Sequence, residues 1–268
     1  MKKHLLGLAA LICLSIISCR KDRQNKDWDN TSTQDNSLAE NYFSDVYKVV
    51  DDVSSNTTGI KDITVGCIDT IIVDTTSNPR TILVDFGTDD CTGTDLRVRK
   101  GKLHITYTGR YRTQGTVITI TPENYTVDGY LIQGTKTITN NGLNANGKPY
   151  FTVNANGSIT APSNAYTVTW NSTRTRTWIS GNNTATIWDD VYEITGSASG
   201  TNRNGSPYSM TIQTPLRAEI GCRWIVSGVI NMQPQDGQLR VINFGSGDCN
   251  NGFTVTVDGT TSTYFGGN

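Results

Sequence analysis

The chain has 268 residues, with 23 Lys plus Arg against 24 Asp plus Glu; without the first 18 residues, which hold Lys2 and Lys3 and no acid, the balance is 21 against 24, a net charge of −3. That bias is too weak for a nucleic-acid partner, and no basic stripe is present. Apolar residues at 35% and charged residues at 18%, with abundant Thr, Asn and Gly, disfavour a helical bundle and favour β structure with many turns, while only two His exclude most metal and triad chemistry.

Lys2, Lys3 and His4 form a basic start, followed by the mostly apolar run Leu5 to Ile17, too short to span a bilayer comfortably as a helix. This is the layout of an export signal, residues 1–18. It ends in Ile16-Ile17-Ser18-Cys19, which resembles the lipobox of bacterial lipoproteins. The resemblance implies acylation of the Cys19 thiol, cleavage before it, and a membrane partner reached through the lipid. Two or three acyl chains anchor stably, because each buried methylene contributes about 0.8 kcal/mol. Arg20 rather than Asp follows the Cys, which by the bacterial sorting pattern points to the outer membrane. The acidic pair of surface-exported lipoproteins is missing behind it, so the periplasmic face is expected. Residues 19–36 are polar and read as a flexible tether.

Ser37-Leu38-Ala39-Glu40 fits a capping box, and Leu38, Tyr42, Val46 and Val49 or Val50 recur at helical spacing, which predicts a helix over 37–53. A plug packed on the edge or mouth of a sheet is the expected role. Residues 60–268 predict a single β domain. Leu103, Ile105 and Tyr107, then Tyr166, Val168 and Trp170, then Tyr208, Met210 and Ile212 alternate with polar residues, the period of strands with one buried face. Asp128-Gly129, Asn146-Gly147, Asn204-Gly205 and Asp258-Gly259 suit tight hairpins. The expected fold class is therefore all-β, an antiparallel meander closed as a sandwich or curled like a barrel, with one N-terminal helix.

The chain also echoes itself. Gly66-Cys67 opens a stretch ending Asp85-Phe86-Gly87-Thr88-Asp89-Asp90-Cys91, and Gly221-Cys222 opens one ending Asn243-Phe244-Gly245-Ser246-Gly247-Asp248-Cys249. Between them, Tyr130-Leu131-Ile132-Gln133-Gly134 matches Tyr192-Glu193-Ile194-Thr195-Gly196, and Asn146-Gly147-Lys148-Pro149-Tyr150 matches Asn204-Gly205-Ser206-Pro207-Tyr208, at offsets of 62 and 58. A unit of about 60 residues is too small to bury much surface alone, so the copies are expected to share one core. Cys13 leaves with the signal and Cys19 takes lipid, so four Cys remain in an oxidising compartment. Four allow three pairings; the repeat selects Cys67 with Cys91 and Cys222 with Cys249. No Cys-x-x-Cys spacing supports a thiolate metal site.

Candidate chemistry is thin. Asp189, Asp190 and Glu193 near Trp178 and Trp188 suggest a glycoside hydrolase pair, but the matching stretch of the other copy reads Val127-Asp128-Gly129-Tyr130-Leu131, which is turn chemistry. Trp170, Arg174, Arg176 and Trp178 share one strand face and, with Trp188 and Trp224, suggest a strip for a sugar or anion; core Trp and an exposed Arg ladder are the plainer alternatives. His104 stands on a polar parity with no nucleophile attached. Asp89, Asp90 and Asp248 suggest Ca²⁺ or a hydrogen bond inside the hairpin. Asp69-Thr70-Ile71 and Asp74-Thr75-Thr76 resemble the short O-glycosylation motif of Bacteroidota envelope proteins.

Arg99-Lys100-Gly101-Lys102, Ile105 to Arg112, Asp189-Asp190-Val191-Tyr192 and Cys222 to Gly228 resemble an uncharacterised family of Bacteroidota lipoproteins. The likeness runs over most of residues 38–260. It implies phylum and compartment, and it carries over no catalytic residue. The expectation is a lipid-anchored envelope protein without catalysis, structural or binding a glycan or envelope-protein partner, and with no cofactor or metal. A glycan-binding module or a glycan-active hydrolase is the alternative.

Overall fold

The computed structural model describes residues 30–56, 66–184, 189–222, 224–250 and 252–265, the side chains of 51–56 excepted. The export segment, Cys19, the tether before residue 30 and Trp188 lie outside the described residues. Helix α1 runs Thr31–Asn56, and fourteen strands follow. They are β1 Thr70–Asp74, β2 Arg80–Asp85, β3 Cys91–Thr92, β4 Val98–Tyr107, β5 Val117–Val127, β6 Tyr130–Leu143 and β7 Pro149–Thr160. After a short 3-10 turn at Pro162–Asn164 come β8 Thr167–Ser180, β9 Val191–Thr201, β10 Pro207–Glu219, β11 Ile225–Pro234, β12 Arg240–Ser246, β13 Gly252–Val257 and β14 Thr260–Phe265.

All fourteen belong to one open antiparallel sheet in sequence order, with β3 laid against β4 and with β1 and β14 as its two edges. The described strands form no second sheet that would make a sandwich, so one curled sheet is the architecture. The curl is read from α1. Among its described side chains, residues 31–50, the exposed ones are Gln34, Ser37, Asn41, Ser44 and Lys48, one strip at spacings of three and four. At about 100° per residue that strip covers roughly a quarter of the helix circumference. A flat sheet touches a helix on one side only, so this sheet wraps it.

The helix starts at Thr31, six residues before the expected Ser37 and inside the stretch read as tether. Thr31, Ser32, Thr33, Asp35 and Asn36 are buried although none is apolar. Hydrogen bonds explain this. Arg203 donates to Asp35 through Nε and Nη2, Asn36 Oδ1 accepts from Trp170 Nε1 at 3.0 Å, and Asn202 Nδ2 donates to Ser32 Oγ at 3.0 Å. Ser37 is exposed in mid-helix and caps nothing; Glu40 turns instead to Arg174. The helix crosses the strands rather than plugging an edge. Asn30 meets Arg240 on β12, Phe43 meets Trp170 on β8, and Asp45 meets Arg99 on β4.

Small residues make the seat of the helix. Gly134, Gly157, Trp170, Gly200 and Tyr208 form one cross-strand row, and Lys136, Ala155, Ser172, Ala198 and Met210 form the next. A Cβ on Gly157 would stand 2.7 Å from Phe43 Cζ. Without it the Phe43 ring reaches the sheet and stacks on Trp170 at 5.3 Å between centroids.

The matched segments fold alike. In one hairpin Asn146 and Lys148 donate their N–H groups to Asn144 Oδ1, while the Gly147 N–H donates to the Asn144 carbonyl. In the other, Asn204 and Ser206 donate to Asn202 Oδ1 and Gly205 to the Asn202 carbonyl. Gly134 and Gly196 share a φ of 123°, and Gly87 and Gly245 each donate to the side chain two residues back, Asp85 and Asn243, at 2.8 Å. The cysteines pair as the repeat predicts, Cys67 with Cys91 and Cys222 with Cys249, at Cα–Cα distances of 5.8 and 5.7 Å.

Candidate functional site

The inner face of the sheet carries Trp170, Arg174, Arg176 and Trp178, and all four are wholly or partly withdrawn from solvent. Trp170 and Trp178 are each only 4% exposed. Arg174 is buried beside Glu40, with Nη2 to Oε1 at 2.6 Å. Arg176 is half-buried, its guanidinium 3.5 Å from the centroid of the Tyr192 ring and 5.2 Å from that of Tyr47. Strand parity puts Trp170, Arg174, Arg176 and Trp178 together correctly, but the face they share is not an open platform. This corrects the expectation of a stacking strip at these four positions. Trp188 lies outside the described residues, and Trp224 is half-buried.

The same interface holds acids from the helix against bases from the strands. Asp45 accepts from Arg99 Nε at 3.2 Å and Nη2 at 2.5 Å, and from the Tyr125 hydroxyl at 3.1 Å. Lys136 Nζ donates to the Phe43 carbonyl at 2.9 Å and lies against the Tyr47 ring. Burial, with Arg176 nearby, pushes its ammonium down to about 7, and Glu40 opposes the shift. Sequence reasoning misses these groups because each looks like an ordinary strand or helix charge.

The three carboxylates offered for hydrolysis do not converge. Asp190 is buried and accepts from Trp178 Nε1 at 3.2 Å and the Tyr192 hydroxyl at 3.3 Å. Burial raises its pKa, and those two donors oppose the rise. Asp189 is exposed and accepts from Thr184 Oγ1 at 2.9 Å. Glu193 is exposed and follows Tyr192 on β9, so it points to the other face of the sheet. His104 is exposed and bonds Glu123 at 2.5 Å. Asp90 pairs with Lys100, and no group of three His, Cys, Asp or Glu among the described residues is arranged to hold a metal. Thr70 and Thr75 are exposed on and beside β1.

The outer face is different in kind. Thr137, Asn154, Thr173, Ser197 and Thr211 form one cross-strand row over β6–β10, and Thr135, Asn156, Asn171, Ser199 and Ser209 form the next. These two rows contain no charge and no aliphatic side chain. They line a shallow depression of about 590 Å³. Hydroxyls and amides at strand spacing offer paired donors and acceptors to a polar ligand. Sequence reasoning passes over them because Thr, Ser and Asn on the polar parity look like solvent filler.

No family model, no curated protein and no solved structure matches the chain. No helix among the described residues is long and apolar enough to cross a membrane.

Proposed function

We propose that the protein is a lipid-anchored component of the bacterial cell envelope, held through Cys19 at the periplasmic face of the outer membrane, whose β body serves a ligand or envelope partner without catalysis. The observation that carries this reading is the way α1 is clamped. Asn30, at its start, stands eleven positions after Cys19, and three acids pin the helix to three separate strands or turns: Asp35 to Arg203, Glu40 to Arg174 and Asp45 to Arg99. Tension on the anchor would thus reach the whole sheet instead of peeling off a loose end. The uncharged rows of the outer face are open to a partner. The test is intact mass and membrane fractionation of the mature protein. Acyl groups on Cys19 with outer-membrane fractionation support the reading; a free amino terminus elsewhere, or a protein recovered without lipid, defeats it.

A second reading, a glycan-binding module, is favoured by one observation, the depression lined by the Thr, Ser and Asn rows. It moves the candidate surface from the covered Trp and Arg strip to the opposite face. Affinity electrophoresis through neutral polysaccharides tests it. Retardation that is lost in Asn171→Lys supports it, and equal mobility in every gel removes it.

A further inference from the structure

We infer that the β13–β14 edge, tipped by Tyr264 and Phe265, rests on the lipid surface to which the protein is anchored. This inference rests on the anchoring reading. Every residue of β14 is exposed, Phe265 to 72% and Tyr264 to 36%. The rings do not stand alone. Phe244, Phe253 and Tyr264 form a ladder across β12, β13 and β14, with centroid separations of 5.9 and 5.6 Å, so the exposed tip is braced by packed rings behind it. Aromatic side chains of this kind favour the zone between headgroups and acyl chains.

Two further facts select this edge and this partner. Asn30 Nδ2 donates to the Tyr264 hydroxyl at 2.9 Å, so the chain joins the body beside β14. From Cys19 to Asn30 is eleven residues, a reach of at most about 40 Å when fully extended. The anchor therefore holds this side of the sheet closest to the bilayer. The strands themselves carry no charge: between Gly252 and Phe265 the sole Asp, Glu, Lys or Arg is Asp258, in the connecting turn. The other edge, β1, also exposes Ile72 and Val73, but it ends in Asp74, follows Asp69 and lies across the sheet from the helix start.

The experiment uses the lipidated mature protein in vesicles whose acyl chains carry bromine at a known depth. Phe265→Trp is compared with Leu143→Trp, after subtraction of the parent's fluorescence. Leu143 is 66% exposed and sits eight strands away in the sheet order, about 38 Å along the sheet. The F265W signal should fall about twofold with shallow bromine while the L143W signal is unchanged. Phe265→Asp in the same protein should raise the exposure of β13–β14 amides to hydrogen exchange on vesicles. Lipidated protein whose F265W signal is quenched no more than L143W overturns the edge contact and leaves the anchor standing. Cys19 found without lipid by mass overturns both.

Discussion

The two faces of one sheet carry opposite chemistry. The inner face holds Trp170 and Arg174, which the sequence singles out, beside Arg99 and Lys136, and α1 covers all four. The outer face over β6–β10 holds rows of Thr, Ser and Asn that attract no notice, and it is open. Chemical distinctiveness here marks the place where a polar helix is held. The residues that look functional are used for assembly, and the surface available to a partner is the plain one.

The largest effect expected from breaking this contrast is at Asp45. Its carboxylate is shared by Arg99 and Tyr125, and Arg99 is 1% exposed. Asp45→Ala leaves that guanidinium buried with only Asp95 to meet it, and should cost about 3–5 kcal/mol of unfolding free energy. Away from the helix, Asp90→Ala removes the exposed partner of Lys100 and should cost no more than about 1 kcal/mol. Urea denaturation of both variants measures the difference. Equal losses would mean that α1 is not clamped by charge.

Gly157 comes next. An added methyl meets the Gln133 carbonyl oxygen at 2.0 Å and Phe43 Cζ at 2.7 Å. Gly157→Ala should therefore lift the helix and destabilise by roughly 1–3 kcal/mol. Coupling sharpens the test. If the clash is with the helix, Phe43→Leu should recover part of the loss in the double variant, giving a non-additive cycle. Strict additivity would place the damage in the strand pair alone.

How much of this is legible in the sequence follows from what periodicity measures. Alternation reports which residues share a face, so it groups Trp170, Arg174 and Trp178 correctly, and the repeated Phe-Gly-x-x-Asp-Cys phrase pairs the cysteines. Alternation does not report what lies over a face. The first turns of the cover come from Thr31 to Asn36, a stretch whose burial depends on hydrogen bonds to Arg203, Trp170 and Asn202, partners more than a hundred residues away. Hydropathy is blind to such pairing, and so the stretch reads as tether. The same blindness produces the capping box at Ser37, whose Glu40 satisfies the local pattern but bonds Arg174.

Lys136 tests the interface through pH. Burial lowers its folded pKa from the ordinary lysine value of 10.5 to about 7. Below that the amine is charged in both states and the folded protein bears the whole penalty. As pH rises through the folded value the native state releases the proton first, so stability should climb. Lys136→Met keeps the volume, gives up the bond to the Phe43 carbonyl, and should flatten the profile between a pH of about 7 and about 9. Thermal unfolding across that interval decides it. A wild-type profile as flat as the variant's would mean that water reaches Nζ.

The smallest effect is expected on the outer face, and its smallness is the point. Thr173 is exposed in the middle of the polar rows, paired with Asn154 and Ser197 across the sheet. Thr173→Ala removes a β-branched side chain with no described hydrogen bond to a core group, so stability should change by less than about 1 kcal/mol. A residue kept only for strand propensity would leave no other trace. A residue that meets a ligand would leave one: retardation in a neutral polysaccharide gel should weaken in Thr173→Ala while the urea midpoint hardly moves. Loss of both together would assign the row to folding, and loss of neither would return it to solvent.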